Sequence, residues 1–461
     1  MSERRRLLVV GGVAAGMSAA ARAKRLEPEL DVVVFERSGF CSYTACGLPY
    51  HVGGVSADHR ARVMRTPAQF AEDGVAVHVR HEVTEIDPGA RRLRVRALDG
   101  GRERSEPWDA LVLAAGARPA GTAMPGARLP GVFTLRTIED AQAIRAWIDA
   151  AGVHDAVVIG GGYIGLEMAE ALRSRGLATT VVEREDHVLP LVDVDIAGDI
   201  AGELEAQGVE LRCATAVEEI AGDERVRAVV ADGDALAADV VIIGVGVRPD
   251  TALAGAAGLP LGPHGGVRVD AAMRTGIDGI WAAGDCCQTR HLLHDRPAYV
   301  PLGTTANKQG RVVAAGVTGG DEAFGGVLGT AVVKVCDLHV GRTGLTERDA
   351  RDAGLDAVSA SVTHLSRARY YPGHRPLRVK LVAERGSGRL LGGQLVGREG
   401  VAKRVDVVAA ALHAGATAGE LAQYDLSYAP PFAPVWDPVL LAARKAAERS
   451  ARGTALPEAV S

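Results

Sequence analysis

Two cysteines, Cys41 and Cys46, are the residues of this sequence best suited to redox chemistry. A cysteine reacts with disulfides as the thiolate, and a free thiol with a pKa of about 8.5 stays mostly protonated near neutral pH unless its surroundings lower that pKa. Cys46 stands just before Gly47-Leu48-Pro49-Tyr50, where the start of a helix could direct backbone N–H groups at the sulfur. We therefore predict that Cys46 is the nucleophile.

The other cysteines do not indicate a metal centre. Cys286 and Cys287 are adjacent, but no second cysteine pair or histidine stands at the spacing of a metal site. We therefore predict no metal ion and expect this pair to be buried thiols. Six cysteines in one chain are more often free or catalytic thiols than structural disulfides when the protein resides in a reducing compartment.

Composition excludes several classes of protein. The chain has 461 residues, which favours two or three domains, and 47% of the residues are apolar. A net charge of -5 and a pI near 6.2 provide no basic surface for nucleic acid, and no apolar run reaches the length of about 18 residues that a membrane span needs. Arg4-Arg5-Arg6 before an apolar run is similar to a secretory signal, but Gly11-Gly12 interrupts that run. We therefore expect a cytoplasmic protein.

The first forty residues predict a dinucleotide-binding unit. A strand at Leu7–Val10, a helix from Met17 to Leu26 and a second strand ending at Glu36 enclose a tight turn. In such units the pyrophosphate binds at the helix N-terminus and the acid binds a ribose hydroxyl. Val13 replaces the middle glycine and should hold the backbone further from phosphate. The turn residues predicted to contact a dinucleotide are Gly11, Gly12, Val13, Ala14 and Gly16.

A second unit of the same kind follows, with a complete glycine motif at Gly160, Gly162 and Gly165. We predict a helix over residues 166–175 and a strand over 178–183, which ends in the acid Glu183. Two such units in one chain imply two dinucleotides. The carboxylate of Glu183 suits a ribose 2′-hydroxyl and repels a 2′-phosphate, which favours NADH over NADPH, whereas the neighbouring Arg184 weakens that preference.

Similar strands close both units, and a different pattern follows them. Residues 110–119 and 240–249 each form a strand with a glycine turn, at Ala115-Gly116 and Gly246, and Asp285 follows another short strand. From about residue 325 the pattern favours antiparallel strands and a helix over 401–414. The predicted fold is therefore α/β, with two Rossmann-like domains and an α+β C-terminal domain. The predicted boundaries are 1–118 with 250–324, then 119–249, then 325–445, and a polar tail at 446–461.

The order of these motifs resembles that of a known family. Five further motifs follow the first glycine turn in this order: Cys46 before Gly47-Leu48-Pro49-Tyr50, the second glycine motif with Tyr163 and Glu167, and then residues 281–285, 301–311 and 427–432. Together they are similar to the single-cysteine branch of the flavin-dependent pyridine nucleotide–disulfide oxidoreductases, most closely to coenzyme A-disulfide reductases, NADH oxidases and persulfide reductases. The match extends over nearly the whole chain.

The resemblance implies FAD in the first unit, NADH or NADPH in the second, and a homodimer formed by the C-terminal domain. It implies that Cys46 accepts electrons from the flavin, that Tyr163 covers the flavin, and that Glu167 lies near the nicotinamide amide. Two tyrosines of the partner subunit approach the sulfur in this family, and the matching positions are Tyr428 and either Tyr370, which we favour, or Tyr371. Further positions that match cofactor contacts are Arg37, Ile164 and Gly303.

Substrate-binding positions are expected beside Cys46. Ser18, Arg22 and Arg25 recur at i, i+4 and i+7, on one face of the first helix, where the arginines could bind the phosphates of coenzyme A. A solvated helix face is the alternative interpretation. The other positions expected to contact a substrate are Ser42, Tyr43, Asn307 and Arg311.

Two departures from the family pattern affect the predicted chemistry. NADH peroxidase-like members have a histidine where this chain has Ala14, so we rank disulfide or persulfide reduction above peroxide reduction. Cys41 and Cys46 have the spacing used by two-cysteine relatives, so a Cys41–Cys46 disulfide is one reading, and a packing role for Cys41 is the other.

Three functions follow. The first is NAD(P)H-dependent reduction of a small disulfide or persulfide through Cys46, with coenzyme A as a candidate ligand. The second is an NADH oxidase, in which Cys46 passes through a sulfenic acid. The third is a redox-sensing flavoprotein that signals to a partner protein.

Overall fold

A computed structural model describes residues 4–56, 58–150 and 152–451. Its helices are α1 (Ala14–Leu26), α2 (Leu48–Val52), α3 (Pro67–Glu72), α4 (Ile138–Ile148), α5 (Tyr163–Ser174), α6 (Val194–Ala206), α7 (Ala252–Ala256), α8 (Gly303–Val317), α9 (Glu347–Asp352), α10 (Val401–His413), α11 (Ala418–Leu421) and α12 (Pro438–Ala451). Short 3-10 turns cover Ala45–Gly47 and His59–Arg62.

The strands alternate with these helices in the first two thirds of the chain and dominate the last third. They are β1 (Arg6–Val10), β2 (Asp31–Phe35), β3 (Val75–His78), β4 (His81–Asp87), β5 (Arg92–Ala97), β6 (Glu103–Pro107), β7 (Ala110–Leu113), β8 (Ala117–Pro119), β9 (Val132–Phe133), β10 (Asp155–Ile159), β11 (Ala178–Val182), β12 (Val209–Arg212), β13 (Val217–Gly222), β14 (Val226–Ala231), β15 (Asp234–Ala237), β16 (Val240–Ile243), β17 (Val247–Pro249), β18 (Ile280–Ala282), β19 (Thr289–Arg290), β20 (Pro297–Ala298), β21 (Ala331–Val335), β22 (Leu338–Gly344), β23 (Ala357–Leu365), β24 (Pro376–Glu384) and β25 (Leu390–Gly397).

The first nucleotide-binding unit is a parallel five-stranded sheet in the order β18-β7-β1-β2-β3. Its central strands are almost wholly buried, which explains the continuous apolar runs, since a parallel sheet is covered on both faces. α1 and α8 pack against each other beside this sheet. α1 begins at Ala14, three residues before the predicted start, because the residues after Val13 already form the first helical turn.

The second unit repeats this arrangement in a parallel sheet of order β12-β11-β10-β16-β9. α5 again begins three residues before the predicted start, at Tyr163, directly after Gly162. β8 and β17 pair antiparallel and connect the two units. The domain limits predicted at 118/119 and 249/250 fall at or directly after these two strands and stay a prediction.

Two antiparallel meanders add to the predicted elements. They are β4-β5-β6 and β13-β14-β15, one in each unit. β5 alternates exposed and buried residues over Arg92–Ala97, a period-two pattern typical of a half-buried strand.

The C-terminal part is an antiparallel sheet in the order β21-β22-β25-β24-β23, covered by α10 and α12. The chain thus has two Rossmann-like domains and an α+β C-terminal domain, as predicted. The start of the polar tail, however, was placed too early. α12 continues to Ala451 and buries Ala446 and Ser450, because one face of this alanine-rich helix packs on β23 and β24. Residues 452–461 lie outside the described residues.

A buried lysine joins the C-terminal sheet to the second unit. Lys380 Nζ, on β24, lies 3.0 Å from Asp193, 2.7 Å from Asp195 and 3.1 Å from Glu347. The side chain of Lys380 is only 5% exposed, so its charge depends on these carboxylates rather than on water. This cluster holds the start of α6 and α9 against the sheet.

None of the helices in the described ranges has the length and apolar character of a membrane span.

Candidate active site

A large cavity opens at the carboxyl ends of the first parallel sheet, the edge at which open α/β sheets bind ligands. Its volume of about 1110 Å³ exceeds the roughly 300–1,000 Å³ of sites for drug-sized molecules. Cys46 borders it. The other predicted site residues that line it are Gly11, Val13, Ala14, Ser18, Arg25, Glu36, Arg37, Ser42, Tyr43, Ala115, Gly116, Asp285, Gly303, Asn307 and Arg311.

The first glycine turn has a geometry that only glycine satisfies. Gly11 has a φ of +103°, and a Cβ there would lie 2.1 Å from the carbonyl oxygen of Ala114. A Cβ on Gly16 would lie 1.9 Å from the carbonyl oxygen of Gly11, so its absence lets α1 pack tightly on the turn. The Gly12 N–H donates to Glu36 Oε2 at 2.7 Å, which fixes the carboxylate at the cavity wall.

The second glycine turn reproduces this geometry. Gly160 has a φ of +104°, and the Gly161 N–H donates to Glu183 Oε2 at 2.6 Å. A Cβ on Gly162 would meet no atom within 4 Å, so the protein leaves open space where the backbone would approach a phosphate. In the first unit the side chain of Val13 lines the corresponding edge of the cavity. Arg184 is 82% exposed and forms an ion pair only with Glu185 among the described residues.

Asp285 and Arg136 form an ion pair at the cavity wall, with 2.6 Å between Oδ2 and Nη2. The Tyr299 hydroxyl is buried and has no hydrogen-bond partner among the described residues. Burial, and then the charge of Asp285, raise the pKa of Tyr299. An acid and an arginine at the cavity wall suit a ligand with hydroxyl and phosphate groups. These residues fit FAD.

Cys46 lies in the 3-10 turn Ala45–Gly47, just before α2. It is accessible from the cavity, yet burial raises the pKa of its thiol, and the charge of Glu167 raises it further, while Arg136 opposes this. The expected lowering of this pKa by a helix N-terminus is therefore wrong for the polypeptide alone. A backbone hydrogen bond at Cys46 does lower this pKa, but burial and the charge of Glu167 outweigh it.

Cys41 does not share this environment. It is fully buried, its thiol donates to the Arg65 carbonyl at 3.6 Å, and burial followed by the charge of Glu36 raises its pKa to about 11. Both Cys41 and Cys46 are free thiols in the structure. This environment favours a packing role for Cys41 over a Cys41–Cys46 disulfide.

Of the predicted substrate residues on α1, the structure separates Arg22 from the rest. Ser18 donates to Asn307 Oδ1 at 2.6 Å, and Arg25 lines the cavity. Arg22 is absent from the cavity lining and instead pairs with both carboxylate oxygens of Glu322. Glu322 thus balances the charge of Arg22 in this structure, and the role of Arg22 as a substrate ligand stays a prediction.

The tyrosines of the C-terminal domain lie outside the cavity lining of the same chain. Tyr370 is 76% exposed and Tyr428 47% exposed, and a hydrogen bond between them, followed by burial, raises the pKa of Tyr428. Tyr371 instead lies beneath the guanidinium of Arg367, which is 5.8 Å from the ring centre. The pairing supports the choice of Tyr370 over Tyr371.

Three site residues were not predicted. Arg136 belongs to no recognised motif. Its backbone N–H donates to Asp140, a residue of the capping box at the start of α4. Tyr50 and Tyr299 were equally unassigned. Tyr50 lies on α2 and donates to Glu167 Oε1 at 3.4 Å. Arg136 and Tyr50 meet partners more than one hundred residues away in sequence, so no local pattern reveals these two contacts.

Comparisons with known proteins agree on one family. Residues 5–310 match the model described as pyridine nucleotide-disulphide oxidoreductase, and residues 330–438 match the dimerisation domain of the same family. The chain is 41% identical over 441 residues to an NAD(P)H coenzyme A polysulfide/persulfide reductase of Pyrococcus horikoshii, covering 96% of this chain and 98% of that protein.

Two further relatives differ in their named activity. An NADH oxidase of Methanocaldococcus jannaschii is 35% identical, over 96% of this chain and 99% of that protein. The solved structure of an NAD-dependent persulfide reductase from A. fulgidus superposes with a TM-score of 0.93 at 38% identity, covering 96% of this chain and 83% of that one.

Proposed function

Because this chain belongs to the pyridine nucleotide-disulphide oxidoreductase family, we propose that it uses NAD(P)H to reduce a low-molecular-weight disulfide or persulfide through Cys46. It is an FAD-dependent oxidoreductase with a second site for NADH or NADPH. The observation that carries the proposal is the position of Cys46, which borders the cavity that begins at the first glycine turn. Cys41, in contrast, is sealed in the core.

Residues of the first unit would hold FAD, which supplies a centre that accepts two electrons from a nicotinamide and passes them to sulfur. Gly11 and its neighbours form the turn for the pyrophosphate, and the Glu36 carboxylate is aimed at a ribose. Asp285 and Arg136 line the same cavity and offer one acceptor and one cation. The second glycine turn, with Glu183, offers the same arrangement for NAD(P)H.

Cys46 would act on the substrate by attack of its thiolate on one sulfur of the disulfide. The S–S bond of the substrate breaks, one thiol leaves, and the other stays bound to Cys46 as a mixed disulfide. The two electrons that NAD(P)H supplies then break this second S–S bond. The leaving sulfur needs a proton, which Tyr370 and Tyr428 of a second copy of the chain would provide.

This role of the tyrosines requires a homodimer, and the proposal includes one. The chain carries the dimerisation domain of the family, and the pair of exposed tyrosines lies on that domain rather than at the cavity of the same chain. The proposal also includes a cytoplasmic location, because the cysteines of the structure are free thiols and a reducing compartment keeps them so.

Coenzyme A is the proposed thiol. Ser18, Arg25, Asn307 and Arg311 lie together on α1 and α8 along the cavity, where the arginines suit phosphate groups. Mass spectrometry of the intact protein, purified without reductant, tests this. We expect a mass increment equal to coenzyme A that dithiothreitol removes and that maps to Cys46. A protein with no adduct that also fails to react with coenzyme A disulfide would refute the proposed substrate.

An NADH oxidase is the second candidate, favoured by the similarity to the Methanocaldococcus protein along nearly the whole chain. In that case Cys46 would react with oxygen-derived peroxide and pass through a sulfenic acid. Consumption of NADH in air without a disulfide, at a rate equal to that with one, would favour this function.

A further inference from the structure

Residues 62–64 run antiparallel to the segment that carries the proposed redox cysteine. The Met64 N–H donates to the carbonyl of Ser42 at 2.8 Å. The Thr44 N–H donates to the carbonyl of Arg62 at 3.0 Å. These two bonds fix residues 62–64 to the chain directly before the cysteine.

The side chain of Arg62 adds a contact on the other side of the cysteine. Its Nε donates to the carbonyl of Gly47 at 2.8 Å, and the Gly47 N–H donates to the carbonyl of Thr44 at 3.0 Å. The second bond closes a turn over residues 44–47, which we call the cysteine turn because Cys46 lies inside it. Arg62 is therefore bonded to the cysteine turn at both ends, through its carbonyl at one end and its guanidinium at the other.

The guanidinium of Arg62 is buried without an acid to balance it. Arg62 is only 6% exposed, and its Nη1 donates to the backbone carbonyl of Asp58 at 3.1 Å. In the described ranges its acceptors are backbone carbonyls, and it forms no ion pair. A buried cation without a counter-ion costs stability, and an apolar side chain would fill such a position at lower cost. The arginine is thus explained by the bonds it donates rather than by packing.

The backbone before the cysteine turn adopts a conformation that needs outside support. Ser42 has a φ of +48°, in the left-handed region that residues other than glycine rarely adopt. Such a conformation persists only where surrounding contacts hold it, and it is common at functional sites. The Ser42 N–H donates to the carbonyl of Gly12, in the first glycine turn, at 2.8 Å. The segment that leads to Cys46 is thus held between that glycine turn and residues 62–64.

We propose that Arg62 is a positioning residue for Cys46, and that its bond to the Gly47 carbonyl holds the cysteine turn in the geometry that the sulfur needs for its reaction. This inference rests on the proposed function, since it assigns the group that orients the proposed nucleophile. Misplacement of a reacting atom by about 1 Å can slow a reaction about a hundredfold. Arg62 is absent from the cavity lining, so it acts through the turn and not on the substrate.

Arg62→Met and Arg62→Gln form a matched pair of variants that isolates this bond. Glutamine has an amide nitrogen at the position of Nε and can keep the bond to Gly47, whereas methionine has a methyl group there. Both variants remove the buried charge and the bond to the Asp58 carbonyl, so they differ in the donor at this one position. Arg60→Met alters an exposed arginine of the same 3-10 turn and serves as the surface control.

Hydrogen exchange of the holoenzyme, measured by mass spectrometry, tests whether Arg62 holds the turn. In Arg62→Met we expect exchange about tenfold faster in a peptide that covers residues 42–48, because loss of the bond lets the turn open more often. Arg62→Gln and Arg60→Met should stay within about threefold of wild type. Exchange in β10 should be equal in all four proteins, which separates a local effect from general destabilisation.

Anaerobic stopped-flow measurement tests whether the turn matters for the reaction. Flavin reduced by NADH is mixed with coenzyme A disulfide, and its reoxidation is followed. At saturating disulfide we expect Arg62→Met to react about tenfold to a hundredfold more slowly than wild type, and Arg62→Gln to stay within about threefold. The disulfide concentration at half-maximal rate and the rate of flavin reduction by NADH should be unchanged, because Arg62 does not line the cavity.

Three results would each overturn the inference: unchanged exchange in Arg62→Met, faster exchange without slower reoxidation, or losses in Arg62→Gln as large as those in Arg62→Met. If Arg62→Met does not retain flavin, Arg62→Gln decides the matter. Wild-type exchange and reoxidation in that variant support the inference, and a loss of either overturns it. Hydrogen exchange needs no disulfide, so wild-type protein that does not react with coenzyme A disulfide refutes the proposed substrate while exchange still tests the role of Arg62.

Discussion

Arg136 and Asp285 lie 149 positions apart in the chain and meet at the wall of the cavity, with 2.6 Å between Nη2 and Oδ2. Arg136 precedes α4, and Asp285 follows β18, so the pair connects the predicted NAD(P)H-binding and FAD-binding domains. Both side chains are partly shielded from water, which strengthens the ion pair relative to one on the open surface. The contact therefore fixes the position of the acid that faces the proposed flavin site.

Asp285→Asn should weaken FAD binding by about tenfold to a hundredfold, because a hydrogen bond to a charged group is worth about 1.5–3 kcal/mol. The ratio of flavin to protein after dialysis measures this. Asp278→Asn is the matched control, since Asp278 forms an ion pair with Arg91 on the open surface. Equal flavin retention in both variants would remove Asp285 from the cofactor site.

Glu183→Gln should shift the preference between the two nicotinamide cofactors. The carboxylate repels a 2′-phosphate, and Arg184 next to it is exposed and able to pair with one. We expect the ratio of kcat/KM for NADPH to that for NADH to rise about tenfold. Glu36→Gln alters the equivalent residue of the first unit, and it should reduce flavin retention while leaving this ratio unchanged.

Lys380→Met should lower the free energy of unfolding by about 3 kcal/mol, because it leaves the buried carboxylate of Asp193 without its cation. Urea denaturation followed by tryptophan fluorescence measures this loss. Lys403→Met, at a 91% exposed side chain, should change stability by less than about 0.5 kcal/mol. Similar losses in both variants would contradict the structural role of the cluster.

The effect of Lys380→Met should also depend on pH. Burial alone would raise the pKa of Glu347, but hydrogen bonds from Ser359 and Lys380 lower it below its usual range, so its contribution is lost only as pH falls through that lowered pKa. Burial alone would lower the pKa of Lys380, but its bonds to Asp195 and Asp193 raise it above its usual range, so its contribution is lost only as pH rises through that raised pKa. The difference in stability should therefore be largest between these limits.

Tyr428→Phe and Tyr370→Phe should each slow disulfide turnover by about a hundredfold, the contribution typical of a proton donor. Tyr371→Phe is the matched control, because that ring contacts Arg367 rather than Tyr428. Steady-state kinetics with the disulfide substrate measures all three. A larger effect at Tyr371 than at Tyr370 would reverse the assignment.

A mixed dimer of Cys46→Ser and Tyr428→Phe chains should recover one working site if the tyrosines act across the dimer.

The two glycine turns could be predicted from sequence because their function depends on local backbone geometry. Gly11 and Gly160 need a positive φ, and Glu36 and Glu183 stand at a fixed spacing after them, so each unit is visible within forty residues. The helices began earlier than predicted because a glycine turn and a first helical turn share residues.

Contacts between distant segments could not be predicted in this way. The pairing of Arg22 with Glu322 and the pairing of Tyr50 with Glu167 are contacts that the motifs around these residues do not indicate. Each depends on how separate helices pack, which a periodic pattern does not encode. The pKa of Cys46 was mispredicted for a similar reason, because burial and a distant acid outweigh the adjacent helix.

The central claim is that Cys46, and not Cys41, is the cysteine that receives the electrons that NAD(P)H supplies. The most direct measurement compares Cys46→Ser with Cys41→Ala, using anaerobic flavin reduction by NADH and steady-state reduction of coenzyme A disulfide. We expect Cys46→Ser to keep flavin reduction within about threefold of wild type but to lose disulfide turnover by about 1,000-fold or more, as when a nucleophile is removed. Cys41→Ala should retain both. Disulfide turnover that survives in Cys46→Ser, or is lost in Cys41→Ala, would contradict the account.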